Sequence, residues 1–87
     1  MTLRHFLTYR GVRLPLTLAE ELEPSALQNR NTYFRAEIDD AGRTLWLEKI
    51  VYGEVEMRHD YRWEADGRLG GATIATAGEA PRDIQFG

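Results

Sequence analysis

The sequence predicts a mainly β protein, an antiparallel meander of about six strands with one short helical insertion at about residues 23–29. In residues 54–65, apolar or aromatic side chains alternate with charged ones without a break. A period of two places successive side chains on opposite faces, so this stretch is predicted to be a long strand with one buried face. Two glycine-bearing turns, at 39–43 and at 53–54, are predicted separately and agree on which apolar residues share that face.

The first hairpin is predicted over residues 3–16, with Gly11 in the turn and residues 12–16 as the returning arm. Pro15 has no backbone N–H to donate, so the returning arm is expected to lie at a sheet edge or to end there.

A short helix is predicted next, inside a long connection. Three glutamates lead into Pro24, a residue suited to the first turn of a helix. Residues 29–31, Asn-Arg-Asn, are expected to end it, because asparagine favours turns.

The register of the meander follows from its turns. Residues 39–43 have an acid first and a glycine fourth, which suits a type I turn with a bulged glycine, and Gly53-Glu54 suits a two-residue turn. The predicted cross-strand partners are Ile38 with Thr44, Ala36 with Trp46, Phe34 with Glu48, Ile50 with Met57, Glu48 with His59, Trp46 with Tyr61 and Thr44 with Trp63. The residues predicted to share the buried face are Phe34, Ala36, Ile38, Trp46, Ile50, Tyr52, Val55, Met57, Tyr61 and Trp63.

Residues 64–68 repeat the chemistry of the first turn, which leaves two registers for residues 68–76. A bulged turn places Trp63 opposite Leu69 and Tyr61 opposite Gly71. A tight Asp66-Gly67 turn instead places Gly70, Ala72 and Ile74 inside, and the repeat favours the bulged form.

The end of the chain, residues 77–87, is predicted to be either an extra strand or a flexible tail of the single domain 1–87. Gly78 and Pro81 interrupt the pattern, and residues 83–86 then alternate again.

Composition excludes several classes of function. The 87 residues carry a net charge of −3 and no cysteine, which argues against nonspecific nucleic-acid binding and removes disulfides and thiolate metal sites. No apolar run approaches the roughly 20 residues of a membrane span, so we expect a cytoplasmic protein without a membrane partner. Positive charge is concentrated at the start, since residues 1–19 contain three arginines and no acid.

The predicted buried face contains two ionisable residues in aromatic surroundings. Glu48 opposite His59, with Trp46, Tyr61 and Trp63 as walls, would form either the acid–base pair of a small enzyme or ligand pocket, or a purely structural pair. No nucleophile is placed beside His59. The two histidines have no metal-site spacing, so neither a metal nor a cofactor is expected.

The opposite face is predicted to carry an apolar patch that needs covering. We expect it to mediate a homodimer, because 87 residues offer little material for covering both faces of a sheet. The candidate interface residues are Tyr33, Leu45, Leu47, Val51, Ile84 and Phe86.

Two resemblances are visible in the residues. Residues 61–69, Tyr-Arg-Trp-Glu-Ala-Asp-Gly-Arg-Leu, resemble the hairpin unit of YD repeats in Rhs proteins. The wider pattern is similar to a family of small bacterial proteins known only as a domain of unknown function; it comprises residues 5–9, 11–16, 29–35 and 51–54. That resemblance implies a bacterial origin and a single-domain build, and it implies no activity.

The sequence therefore predicts a non-catalytic binding or interaction module of the bacterial cytosol, which uses a sheet edge or its aromatic face and self-associates. The alternatives are the small enzyme or ligand pocket with Glu48 and His59, and an immunity or phage accessory protein.

Overall fold

Seven antiparallel strands form one sheet in the order β2-β1-β3-β4-β5-β6-β7, in a computed structural model that describes residues 1–86. Gly87, the last residue of the predicted tail, lies outside the described residues. The mainly β prediction and the position of the helical insertion are confirmed. The elements are β1 (Thr2–Arg10), β2 (Thr17–Leu22), a 3₁₀ helix (Pro24–Asn29), β3 (Thr32–Ile38), β4 (Thr44–Val51), β5 (Glu54–Trp63), β6 (Leu69–Thr76) and β7 (Arg82–Gln85).

The predicted returning arm of the first hairpin is wrong. Residues 11–16 form a loop, and the strand that pairs with β1 is β2, with Arg10 opposite Thr17. Pro15 cannot donate to a strand ladder, and Leu14 and Leu16 gain more by packing on the core than by lining an edge.

The β1–β2 hairpin covers one face of the sheet. β1 pairs with β3 only from Thr2 to Phe6, whereas it pairs with β2 as far as Arg10. Beyond Phe6 the hairpin lies over the sheet, where the Tyr9 ring packs edge-on against Phe34 with 5.5 Å between centroids. We call the covered side the inner face and the opposite side the outer face.

The core lies between the inner face and this hairpin. Its buried residues come from five strands, and apolar side chains of the hairpin and loop pack against them. The buried set is Phe6, Phe34, Ala36, Leu47, Tyr61 and Ala72, and Leu14, Leu16 and Leu18 cover it.

Both five-residue turns adopt the predicted bulged form. The Asp39 N–H donates to the Arg43 carbonyl at 2.9 Å, and the Glu64 N–H donates to the Arg68 carbonyl at 2.7 Å. The turn between them is one residue earlier than predicted. It uses Tyr52 and Gly53, at φ of 50° and 80°, because Val51 rather than Tyr52 begins the pairing of β4 with β5.

Three bulges change the register beyond the turns. Ile38 lies opposite Thr44 and Trp63 lies opposite Leu69, as predicted. In each case the next residue of the second strand, after Thr44 or after Leu69, has no partner. The extra residues are Leu45 in β4, Glu56 in β5 and Gly70 in β6. The partners observed are Ala36 with Leu47, Phe34 with Lys49, Ile50 with Val55, Lys49 with Met57, Glu48 with Arg58, Leu47 with His59, Trp46 with Asp60 and Tyr61 with Ala72. The predicted partners Ala36–Trp46, Phe34–Glu48, Ile50–Met57, Glu48–His59, Trp46–Tyr61 and Tyr61–Gly71 are therefore wrong.

The last described residues add a strand. β7 pairs with β6, with Ala72 opposite Ile84, and the Phe86 N–H donates to the Gly70 carbonyl at 3.0 Å. Residues 82–85 thus extend the sheet by one edge strand. Within residues 1–86, no helix is long and apolar enough to cross a membrane.

We expect Gly71→Ala to destabilise the fold by about 1–3 kcal/mol, because the added methyl overpacks a tight site. A Cβ at this position would lie 2.7 Å from Arg62 Nη2 and 3.0 Å from the Ile84 carbonyl oxygen. Urea unfolding measures the loss. Gly70→Ala is the control, since its Cβ meets the side chain of Glu64, which is exposed and can swing away. Equal stability of Gly71→Ala and wild type would contradict the β6–β7 packing described.

Candidate functional site

The predicted acid–base pair does not form. Because Glu56 is an extra residue in β5, Glu48 lies opposite Arg58 and His59 lies opposite Leu47. Neighbouring residues of a strand point to opposite faces. Glu48 is therefore on the outer face and His59 on the inner face, so a proton cannot pass directly between them.

Glu48 is the centre of an ion-pair ladder across the outer face. Its side chain is only 8% exposed. Oε1 accepts a hydrogen bond from Arg35 Nε at 2.7 Å, and Oε2 accepts one from Arg58 Nη1 at 2.8 Å. The three residues face one another on adjacent strands. Paired on both oxygens, the buried carboxylate joins β3, β4 and β5.

Arg58 extends the ladder to Asp60, and its guanidinium packs over the Trp46 ring. Its Nε and Nη2 each donate to Asp60 at 2.9 Å, and these bonds raise the pKa of Arg58 above its ordinary value. The guanidinium carbon lies 4.5 Å from the Trp46 ring centroid, a cation–π distance. Trp46, a predicted ligand-binding wall, is thus on the other side of the sheet from Tyr61 and Trp63.

His59 and Tyr61 form a buried pair on the inner face. The Tyr61 hydroxyl accepts a hydrogen bond from the Leu16 N–H at 3.1 Å and lies 2.7 Å from His59 Nδ1. The Tyr61 hydroxyl and His59 Nδ1 share one hydrogen bond, whose direction depends on the His59 tautomer. Burial favours the uncharged forms, so it lowers the pKa of His59 and raises the pKa of Tyr61 to about 12.

The apolar patch predicted from Tyr33, Leu45, Leu47 and Val51 does not form on one face, and the other two interface candidates, Ile84 and Phe86, lie in and after the edge strand β7. Leu47 is fully buried in the core, and Leu45 is a bulge residue. Tyr33 lies beside His5, with 5.9 Å between ring centroids, and Ile84 lies opposite Ala72 in β7. Val51 is at the far end of β4, and Phe86 is 41% exposed after β7. Tyr33 and Leu47, which the prediction placed on one face, thus lie on opposite faces of the sheet.

The structure brings together a cleft that the sequence did not predict as a unit. It encloses about 390 Å³ between the folded-over hairpin, the 39–43 turn and the end of β5. Its apolar wall residues include Phe6, Leu16, Leu18, Ile38 and Trp63, and Arg4 and Arg43 line it as well. Of these residues, sequence reasoning had identified only Trp63 as a ligand-binding candidate.

Trp63 and Arg43 are held in place on one side of the cleft. The Trp63 indole Nε1–H donates to the Thr44 carbonyl at 2.9 Å, and the Arg43 guanidinium carbon is 5.9 Å from the indole centroid. Asp39 accepts from Arg43 Nε at 2.9 Å. Its other oxygen accepts from the Arg43 and Ala41 N–H groups, and the Arg43 N–H in particular holds the pKa of Asp39 below its ordinary value.

The two arginines of the cleft differ in which guanidinium N–H groups are still free to donate a hydrogen bond. Arg4 is bound through Nε and Nη2 to both oxygens of Glu21, and this pairing lowers the pKa of Glu21. Arg43 uses only Nε on Asp39, so among residues 1–86 its Nη1 and Nη2 have no hydrogen-bond partner. That end of the Arg43 guanidinium is available to a ligand.

The residues described offer no metal centre: within 1–86, no three histidine, cysteine, aspartate or glutamate side chains are grouped to hold an ion. The fold and cleft define a mainly β protein built on a single sheet, with a cleft of about 390 Å³. The model of a family of unknown function, DUF6156, matches residues 1–87, so the chain belongs to that family. This confirms the resemblance to an uncharacterised single-domain family. No curated protein and no solved structure matches the chain.

We expect Glu48→Gln to lower the free energy of unfolding by about 1–3 kcal/mol, because it removes the charge that Arg35 and Arg58 share. Chemical denaturation measures this loss. The control is Glu21→Gln, whose pair with Arg4 is exposed and should therefore change stability less than Glu48→Gln does. A Glu48→Gln protein as stable as the control would show that the ladder adds nothing.

We expect stability to fall on acidification because of His59. Burial holds its folded-state pKa below the ordinary 6.5, so below pH 6.5 the unfolded chain binds a proton that the folded chain resists. The His59 contribution is complete above 6.5 and is lost as the pH falls through the folded pKa. Urea unfolding at about pH 7 and about pH 5 should show a smaller pH difference for His59→Gln than for wild type. Identical differences would contradict a buried neutral imidazole.

Proposed function

We propose that this protein is a non-catalytic binding domain that takes a small ligand, with an apolar body and a carboxylate, in the cleft beside Trp63. The observation behind the proposal is a cleft with apolar walls that also presents the free end of a fixed guanidinium. Concave, mainly apolar sites with a few well-placed polar groups are the usual form of small-molecule sites.

The size of the cleft suits this role. Its volume of about 390 Å³ lies in the range of roughly 300–1,000 Å³ found for small-ligand sites. The walls come from both the sheet and the folded-over hairpin, so a ligand would be enclosed between Trp63 on one side and Leu16 and Leu18 on the other. The cleft is open to solvent on its remaining side, so an apolar body of modest size would pack against these walls and keep part of its surface in water.

The carboxylate is inferred from Arg43. A guanidinium binds a carboxylate through two parallel N–H groups, and Nη1 with Nη2 form such a pair. Asp39 fixes Arg43 from the Nε side, so little side-chain freedom remains to be lost when a ligand binds. The indole face of Trp63 next to it would stack on a flat or aliphatic ligand body.

The non-catalytic character rests on the separation of Glu48 and His59. The enzyme hypothesis depended on these two residues as a pair, and each has its own structural partners on its own face. The setting we propose is the bacterial cytosol, on the sequence resemblance to small bacterial proteins.

The proposal predicts that monocarboxylates shift the indole N–H signal of Trp63 and leave that of Trp46 unchanged. Titrating benzoate, naphthoate and hexanoate into ¹⁵N-labelled protein should shift the Trp63 indole N–H signal, and the corresponding amides should shift it far less. Arg43→Gln should weaken carboxylate binding by about tenfold or more, because a charged hydrogen-bond pair is lost.

The matched control is Arg68→Gln. Arg68 occupies the same position in the sister turn, with its Nε on Asp66, but it does not line the cleft. Carboxylate binding should be unchanged in this variant. The proposal fails if no carboxylate moves the Trp63 signal, or if Arg43→Gln and wild type bind equally well.

A further inference from the structure

A hollow lies at the end of the β4–β5 hairpin, away from the Trp63 cleft. It encloses about 470 Å³, its apolar walls are Val51, Tyr52, Val55 and Ala77, and Glu54 and Glu56 also line it. Tyr52 and Val55 are 77% and 42% exposed. The hollow is thus an open apolar surface lined by two carboxylates, of which Glu54 forms no ion pair within residues 1–86 and Glu56 is paired with Lys49 at 3.1 Å.

Tyr52 is fixed in an unusual backbone position. It occupies the first central position of a two-residue turn at φ 50°, where asparagine, aspartate or glycine is the common choice. Its N–H donates to the Asn31 carbonyl at 2.7 Å, which holds the turn. The hairpin therefore presents a large exposed aromatic side chain, of the kind enriched among the residues that dominate binding energy at interfaces, on a rigid base.

An exposed apolar side chain between two positive charges occurs elsewhere on the same chain. Residues 10–13, Arg-Gly-Val-Arg, are all exposed, and Val12 is 96% exposed. Within residues 1–86, neither Arg10 nor Arg13 forms an ion pair. Val12 is thus an apolar knob between two arginines, and the Tyr52 hollow is an apolar recess lined by two glutamates.

We infer that the Val12 knob of one copy of this chain docks in the Tyr52 hollow of a second copy, with Arg10 and Arg13 against Glu54 and Glu56. When each copy contributes both surfaces, two equal contacts close a two-fold dimer. Of the interface candidates named from the sequence, this dimer would use Val51, which lines the hollow. This inference is independent of the Trp63 cleft, which contributes none of these residues.

The contact should be salt-sensitive. Its charges are solvent-exposed, and at about 0.1 M salt exposed charges are screened over about 10 Å. Sedimentation velocity at about 100 μM protein should give the dimer mass in low salt and a shift towards the monomer mass near 1 M salt.

Charge reversal tests the pairing directly. The hollow variant, Glu54→Arg with Glu56→Arg, and the loop variant, Arg10→Glu with Arg13→Glu, should each sediment as a monomer. An equimolar mixture of the two should regain the dimer mass, because both contacts of the mixed pair are again between opposite charges. Val12→Asp should also be monomeric.

Two controls separate a specific contact from general charge effects. Glu23→Arg and Arg30→Glu reverse exposed charges at the ends of the 3₁₀ helix and should leave the dimer intact. Circular dichroism melts confirm that each variant is folded. A monomeric wild type in low salt, or a dimer that persists in the hollow, loop and Val12→Asp variants, would overturn the inference.

Discussion

The stability of this fold depends on covering the apolar inner face of a single sheet with the β1–β2 hairpin and its loop. A single sheet has two faces, and in residues 1–86 the β1–β2 hairpin and its loop lie over the inner one. The hydrogen bond from the Leu16 N–H to the Tyr61 hydroxyl ties that cover to the centre of the sheet. Because the hydroxyl is buried, losing this bond would leave unpaired polar groups in the core. The outer face has less apolar cover and is joined instead by the Arg35–Glu48–Arg58 ladder.

The bulges determine which side chains lie on the inner face and which on the outer face. Each bulge adds one residue to one strand, which reverses the relation between faces beyond that point and increases the local twist. With Glu56 unpaired, Leu47, His59 and Tyr61 all face the hairpin, and Glu48 faces outwards between two arginines. The three bulge residues, Leu45, Glu56 and Gly70, thus determine which side chains lie on each face of the sheet.

The sequence was sufficient for the features that depend on local chemistry. The acid and glycine positions of the turns at 39–43 and 64–68 specify their form, and Pro24 marks the helical insertion. The bulges could not be predicted, because β4 is apolar at both alternations: Leu45, Trp46 and Leu47 fit either face equally well. Trp63 could be identified as a ligand-binding candidate from the pattern of β5. The cleft itself could not, since Leu16 reaches it only through the long-range folding of the hairpin.

The arginines show how tertiary structure assigns different roles to one residue type. Arg58 has partners on Nε, Nη1 and Nη2, so its role is to stabilise the sheet. Arg43 and Arg68 occupy the same position in two similar turns, and each binds a carboxylate through Nε. Arg43 is 39% exposed beside Trp63, whereas Arg68 is 74% exposed. A guanidinium that is fixed, partly shielded and still free at one end is better placed to bind a ligand than one surrounded by water, because an ion pair gains strength as solvent is excluded. Arg43 therefore differs from Arg68 in its surroundings, which include Trp63 of β5 and, across the cleft, Leu16 and Leu18 of the folded-over hairpin and its loop.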